Sequence, residues 1–321
     1  MMYRASVLIL VVLSAVFADR GEMSITRPDV SVYGPGQKAI IAWNGKTEVI
    51  VLSTDIYAGA ETKVLGVLPL PALPQVTKGD FKSFEVVQQL IHSHLPRPKV
   101  LTKDGGIRQL VPTSGVEVLF HEWIGAHDIT AVKANDYQEF VRWAKEFVKK
   151  SDAGAQGAGA QGASASNAGT VEFSQAWQEV IKQYLDNNYR YFVFDLVTVG
   201  SEKRSIEPIV YKFASRFLYY PLVISSLMPG SSEIQLFTIS PEIPDIWSVE
   251  PPFEFGSYFT YHGQKKNIIF KIGIDEVNRI APQFGKLFSQ PPFFACLKYD
   301  GPLSDLDRDL VFSQFFKPVK H

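Results

Sequence analysis

The chain has 321 residues and a formal net charge of -1; it is 46% hydrophobic, 20% charged and 13% aromatic, with one cysteine. That apolar fraction excludes a disordered or collagen-like chain. Near-neutrality leaves no electrostatic footprint for nucleic acid, and a single cysteine excludes an internal disulfide framework.

The first residues read as an export signal. Arg4 precedes an uncharged apolar run from Ala5 to Phe17, and small residues at Val16-Phe17-Ala18 offer a cleavage site. This is the layout of a secretory signal peptide over residues 1–18, too short to span a bilayer comfortably. No later segment reads as a membrane helix, so the expected mature chain is secreted or extracytoplasmic, without a membrane span. Cys296, in the apolar run Pro292 to Leu297, reads as a buried thiol.

Lys38 to Trp43 and Lys46 to Ser53 flank Asn44-Gly45, which predicts a β-hairpin with a type I′ turn. Lys63 to Leu68 reads as a strand broken by Pro69, Pro71 and Pro74. Asp80 to His94 has helical spacing, with Phe84, Val87, Leu90, Ile91 and His94 on one face. Val116 to Phe120 alternates as a strand, and Asp128 to Val132 reads as its continuation or partner. A helix follows from Asn135-Asp136, with Glu139 placed for a capping box and a stripe running from Tyr137 to Val148. A second helix spans Val171 to about Asn187, with Asn187-Asn188 able to adopt a left-handed cap. Between them, Ser151 to Gly169 is almost wholly Ala, Gly and Ser, and predicts a flexible insert at 151–169.

The second half reads as strands at Tyr191–Val199, Ile206–Phe213, Leu222–Ser226, Ile234–Ile239, Phe253–Tyr261, Asn267–Ile272 and Phe293–Tyr299. A helix over Asp275–Leu287 is weakened by Pro282. The expected class is α+β: mostly antiparallel β-sheet with a central helix pair and a strand-rich C-terminal half. The expected organisation is a domain over 19–240 and a C-terminal α+β extension over 241–321, packed on the same core or separate from it.

Several motifs invite chemistry. Gly157-Ala158-Gly159-Ala160-Gln161-Gly162 matches the dinucleotide spacing, but no strand delivers it to a helix, so no cofactor is implied. His121, Glu122, His127 and Asp128 carry metal-ligating groups. Their histidines are six apart across Gly125, so the zinc-protease helix geometry fails; a polar sheet edge is the simpler reading. Asp195, Asp275, Glu276 and Asp300 are scattered carboxylates. Asp305, Asp307 and Asp309 alternate in what reads as a solvated acidic segment, lacking the Gly and Glu of a calcium loop. Among 23 Phe and 13 Tyr, the residues Tyr189, Tyr191, Tyr219 and Tyr220 are candidates for an exposed interaction surface.

Three stretches together resemble a family. They are the hairpin Ala39–Ser53 leading into Val67-Leu68-Pro69-Leu70-Pro71; Glu122-Trp123-Ile124-Gly125-Ala126-His127-Asp128-Ile129 with the helix containing Trp143; and Tyr191-Phe192-Val193-Phe194 with Ile206-Glu207-Pro208-Ile209 and Tyr220 to Ser225. In order and spacing they resemble the DUF2330 family of exported bacterial and archaeal proteins, over roughly Gly34 to Ile239 without the insert. The resemblance implies export and a shared fold, and no chemistry. The chain departs from the pattern at His127, where an aromatic residue is more usual. Two functions remain: a non-enzymatic exported protein that binds a cell-envelope protein, polymer or ligand, or an extracytoplasmic hydrolase. The hydrolase requires a concave pocket in which carboxylates, or the His121/Glu122 cluster, meet with perturbed pKa values.

Overall fold

The computed structural model describes residues 21–24, 32–95, 99–101, 107–109, 127–155, 172–245, 254–255, 259–261, 264–266, 268–313 and 315–316. In chain order the strands begin with β1 (Gly21–Ser24), β2 (Val32–Trp43), β3 (Thr47–Ala58), β4 (Thr62–Leu70) and β5 (Gln75–Lys78), followed by helix α1 (Lys82–His94). Next come β6 (Lys99–Leu101), β7 (Ile107–Gln109), β8 (Asp128–Lys133), α2 (Tyr137–Ala155), α3 (Gln175–Asp186), β9 (Tyr191–Val199), β10 (Arg204–Ser205), β11 (Ile209–Ala214) and β12 (Leu218–Tyr220). A 3-10 helix at Val223–Leu227 leads to β13 (Ser231–Ser240), β14 (Ile243–Pro244), β15 (Glu254–Phe255), β16 (Phe259–Tyr261), β17 (Gln264–Lys266) and β18 (Ile269–Lys271). The chain ends through α4 (Ile274–Ile280), α5 (Pro282–Gly285), β19 (Phe293–Pro302), β20 (Leu310–Phe312) and β21 (Phe315–Phe316).

Two sheets organise these elements. The smaller runs β1-β4-β9-β8, and the larger runs β15-β19-β13-β2-β3-β11-β5. Pairing is antiparallel throughout both sheets except between β13 and β2. Period-two alternation then sorts the side chains into layers. Along β9, Phe192, Phe194 and Leu196 face α2 and α3, whereas Val193 and Val197 face the large sheet. Along β2, Ala39, Ile41 and Trp43 face the small sheet, whereas Ile40 and Ala42 face α1, α4 and α5. The result is an α+β molecule of four layers: helices, small sheet, large sheet, helices. Strands buried on both faces read as continuous apolar runs, which is why β9 and β3 stand out in the sequence.

The C-terminal region contributes to this same core. β19 pairs with β13 along ten residues and brings buried Leu297 and Cys296 to opposite faces of the large sheet. Cys296 is buried, as its sequence context predicts.

Local chemistry explains where the elements start and stop. Asp136 Oδ1 accepts from the Glu139 N–H at 2.9 Å and Glu139 Oε2 accepts from the Asn135 N–H at 2.7 Å, a reciprocal cap at the start of α2. The β2–β3 hairpin forms as predicted, but its turn is not type I′. Only Gly45 has positive φ, at 93°. Asn44 instead holds the turn with its side chain, whose Oδ1 accepts from the N–H groups of Lys46 and Thr47 at 3.1 and 2.9 Å. Pro69 is tolerated inside β4 because β1 pairs only with Val64 to Val67, so the missing N–H has no strand to serve.

Other boundaries depart from the sequence reading. α3 begins at Gln175 rather than Val171, because Ser174 caps it through the Trp177 N–H. The first residues of the predicted flexible insert, Ser151 to Ala155, continue α2, consistent with alanine's high helix propensity. The single helix predicted over Asp275–Leu287 is two, α4 and α5, split at Ala281, whose φ of -155° is extended, with Pro282 at the start of α5. Leu222–Ser226, predicted as a strand, is replaced by the 3-10 helix Val223–Leu227. The predicted signal segment 1–18, the strand Val116–Phe120 and the rest of the insert lie outside the described residues.

Candidate functional site: an aromatic cleft over a buried polar cluster

A cleft of about 960 Å³ opens at one end of the sheets. Its walls come mainly from the β2–β3 turn, the segment after β11, the C-terminal end of α3 and residues 307–311, with Pro71 and Val223 between them. Each is set by a local rule. α3 ends in a Schellman motif: the Asn188 N–H bonds the Leu185 carbonyl at 3.0 Å and the Tyr189 N–H bonds the Tyr184 carbonyl at 2.9 Å. Asn188 takes the left-handed conformation this requires, with φ 65°. The reversal swings Tyr189 back against Tyr184, ring centroids 5.8 Å apart, and into the cleft. The segment after β11 is tied to the hairpin turn by a bond from the Ser215 N–H to the Lys46 carbonyl at 3.0 Å, and by Trp43 Nε1–H donating to the Ser215 carbonyl at 3.1 Å.

Asp309 anchors the floor. Its Oδ1 accepts from the Tyr184 hydroxyl at 2.8 Å and from the N–H groups of Leu222 and Val223 at 2.8 and 2.9 Å. Its Oδ2 accepts from the Tyr219 hydroxyl at 2.9 Å. The Tyr184 hydroxyl in turn accepts from the Ile224 N–H at 3.0 Å. This carboxylate therefore turns Leu222–Ile224 into the start of the 3-10 helix instead of a strand, because its fixed oxygens collect successive backbone donors. Burial raises the Asp309 carboxyl above its ordinary value, and the two N–H groups and two tyrosine hydroxyls oppose that rise. Burial, reinforced by the Asp309 charge, pushes the Tyr184 and Tyr219 hydroxyls well up. The same causes, with Glu48 added, push Tyr189 to about 12. These hydroxyls keep their protons and remain donors.

Glu48 lies beside this cluster on β3. It is fully buried, and its Oε2 accepts from the Tyr219 N–H at 2.7 Å. Desolvation drives its carboxyl well above the ordinary range, against that single hydrogen bond. The folded state thus binds a proton that the unfolded chain releases near pH 4.3. Its contribution to stability is full below that pH and is lost as pH rises through the folded-state pKa. Glu48→Gln removes this titration. We expect the variant's unfolding free energy, followed by urea titration from pH 4 upward, to fall less steeply with pH than that of the parent. Equal slopes would assign the titration elsewhere.

Both carboxylates that line the cleft have partners. Asp309 takes four bonds, three of them on Oδ1, which crowds that oxygen with donors. Asp307 is held by the Arg308 guanidinium, Nε to Oδ1 at 2.9 Å, which keeps its carboxyl below the ordinary value. The groups facing the opening include Lys46, Arg216, Gln183, Asn187, Phe217, Tyr189 and the exposed Val311.

The residues singled out from sequence are placed elsewhere or differently. His121 and Glu122 lie outside the described residues. His127 lies in the layer between the sheets, its Nδ1 at 3.0 and 3.1 Å from the two Asp195 oxygens, with only 7% and 2% of the two side chains exposed. Asp128, next along the edge strand β8, is exposed, so the pair does not converge. Among the described residues no group of three His, Cys, Asp or Glu side chains is arranged to hold a metal. Two of the other scattered carboxylates are used locally: Glu276 Oε2 accepts from the Gly273 N–H at 2.7 Å at the start of α4, and Asp300 lies 3.9 Å from Lys298 Nζ.

Of the four tyrosines proposed for an exposed surface, Tyr219 and Tyr220 are buried, at 0% and 1% exposure. They alternate within β12, where pairing with β20 and the underlying core cover both faces. Tyr191 is half-buried on β9. Tyr189 alone of the four lines the cleft. No family model, curated protein or solved structure matches the chain.

Two residues of the cluster were misjudged or passed over in the sequence. Asp309 reads as part of a solvated acidic run, and Asp305 and Asp307 are indeed exposed. The available signal was Asp309's position directly before the alternating Leu310-Val311-Phe312. Glu48 has the same strand parity as Ile50 and Leu52, which face the inter-sheet core.

Proposed function

We propose that this chain is an exported binding protein of the cell envelope, and that the cleft beside Tyr189 is its ligand site. The observation that carries this reading is the state of the cleft's carboxylates. Asp309 is bound by four donors and Asp307 is paired, while cations, amides and aromatic rings face the opening. Such a surface grips a ligand by stacking and hydrogen bonding. A hydrolase of the kind considered from the sequence needs a raised-pKa carboxyl with room to exchange a proton with substrate. Export rests on the apolar run Ala5–Phe17 and on the resemblance to the DUF2330 family, whose membership forms part of this proposal.

Asn187 provides the test. It is exposed on the cleft wall, so an indole placed there narrows the opening. We expect immobilised protein lacking residues 1–18 to retain an envelope polymer, and Asn187→Trp to lose about nine-tenths of that retention while unfolding at nearly the same temperature. Equal retention by both proteins, or release of new reducing ends or new amines from the polymer, overturns the reading.

A further inference from the structure

The charge layout of the cleft selects among ligands, and the geometry points to an acidic oligosaccharide bound with its carboxylates at the mouth. This inference rests on the cleft being a ligand site.

The interior end is negative in character. Asp309 lies behind Tyr184, Tyr189 and Tyr219, and its charge is among the causes that hold the Tyr189 hydroxyl protonated. A carboxylate or phosphate driven to that depth meets repulsion from Asp309, whereas a neutral hydroxyl does not. The mouth is the opposite. Lys46 and Arg216 are exposed there, and the Ser215–Lys46 backbone bond brings their positions together. Among the described residues neither side chain has a carboxylate partner, whereas the third cation of the rim, Arg308, is committed to Asp307. Two unneutralised cations beside each other form an anion site.

The walls between these ends carry ring faces and amides. Phe217 and Tyr189 are half-buried and each stands against Tyr219, with ring centroids 6.2 and 5.0 Å away, so both are held in place. Fixed aromatic faces suit the C–H faces of pyranose rings, and Gln183 and Asn187 supply both donors and acceptors for hydroxyls. A cleft of about 960 Å³ is at the upper end for small-ligand sites and takes a few sugar rings. The ligand class that satisfies mouth, walls and depth together is a uronate-type oligosaccharide.

The experiment uses protein lacking residues 1–18 and three probes in titration calorimetry: tri-galacturonate, its full methyl ester, and tri-glutamate. We expect tri-galacturonate to bind, the ester to bind at least tenfold more weakly, and tri-glutamate to bind more weakly than the sugar acid. Lys46→Ala/Arg216→Ala, both at exposed positions, should weaken tri-galacturonate about tenfold, and raised salt should erase most of that difference. Equal binding of acid and ester overturns the acidic specificity and leaves the cleft as a ligand site. Tighter binding of tri-glutamate, or no binding of either sugar, overturns the sugar class. If binding occurs but Asn187→Trp leaves it unchanged, the cleft assignment itself fails.

Discussion

Asp309→Ala is expected to lower the unfolding free energy by about 4 kcal/mol, the sum expected when several buried donors lose one charged acceptor. Four donors depend on that carboxylate, from α3, from the strand before the cleft and from the start of the 3-10 helix. Alanine removes the acceptor and leaves no substitute within the cluster, although water entering from the cleft will recover part of the loss. For a chain of this size the change corresponds to a fall of roughly 10 °C in Tm. Asp309→Asn keeps one oxygen acceptor and should cost about half as much. Differential scanning calorimetry distinguishes these outcomes. A fall of less than about 1 kcal/mol for the alanine variant would mean that Asp309 behaves as an ordinary surface carboxylate.

The second large effect lies in the helical layer over the small sheet. Phe140 on α2 is fully buried, and its ring meets Phe192, Phe173 and Phe194 at centroid separations of 5.0, 5.2 and 5.4 Å. α2 has a polar outer face and is held to the sheet through this stripe, so the aromatic cluster is what docks it. Phe140→Ala should cost about 4 kcal/mol through lost transfer energy and the cavity left behind. Phe140→Leu, which refills most of the volume, should cost about 1.5 kcal/mol or less. Urea unfolding measures both. Hydrogen exchange adds a spatial check: amides of α2 should exchange faster in the alanine variant than those of α1 on the far side of the large sheet. Uniform acceleration in both helices would show that the layers open only together.

Much of the local structure is legible in the residues. Asn44-Gly45 marks the hairpin, Asp136 and Glu139 mark the start of α2, and Asn188 marks the end of α3. Each acts through bonds or sterics within a few residues of itself, so the information is local. The alternation along β9 and β13 is equally local. What it leaves open is which side meets which layer, because both faces are apolar.

The errors share one cause. Leu222–Ser226 has the composition of a strand, but an acceptor 86 and 87 residues away in sequence captures its N–H groups. Tyr219 and Tyr220 have amphipathic side chains suited to a surface, but the ribbon they form with β20 is closed over by the inter-sheet core. Asp309 has a solvated look because its neighbours Asp305 and Asp307 are solvated. In each case a partner distant in sequence decided the outcome against local preference.

By itself, then, the sequence determined the α+β class, the hairpin, the helix caps and the burial of Cys296, because those follow from periodicity and short-range hydrogen bonding. Tertiary structure alone decided that two sheets and two helical layers stack, that the last strands belong to the same core, and that Asp309 and Glu48 turn inward beneath a cleft. Burial of a charge is favoured only where donors from separate elements converge on it, and that convergence is a property of the folded chain.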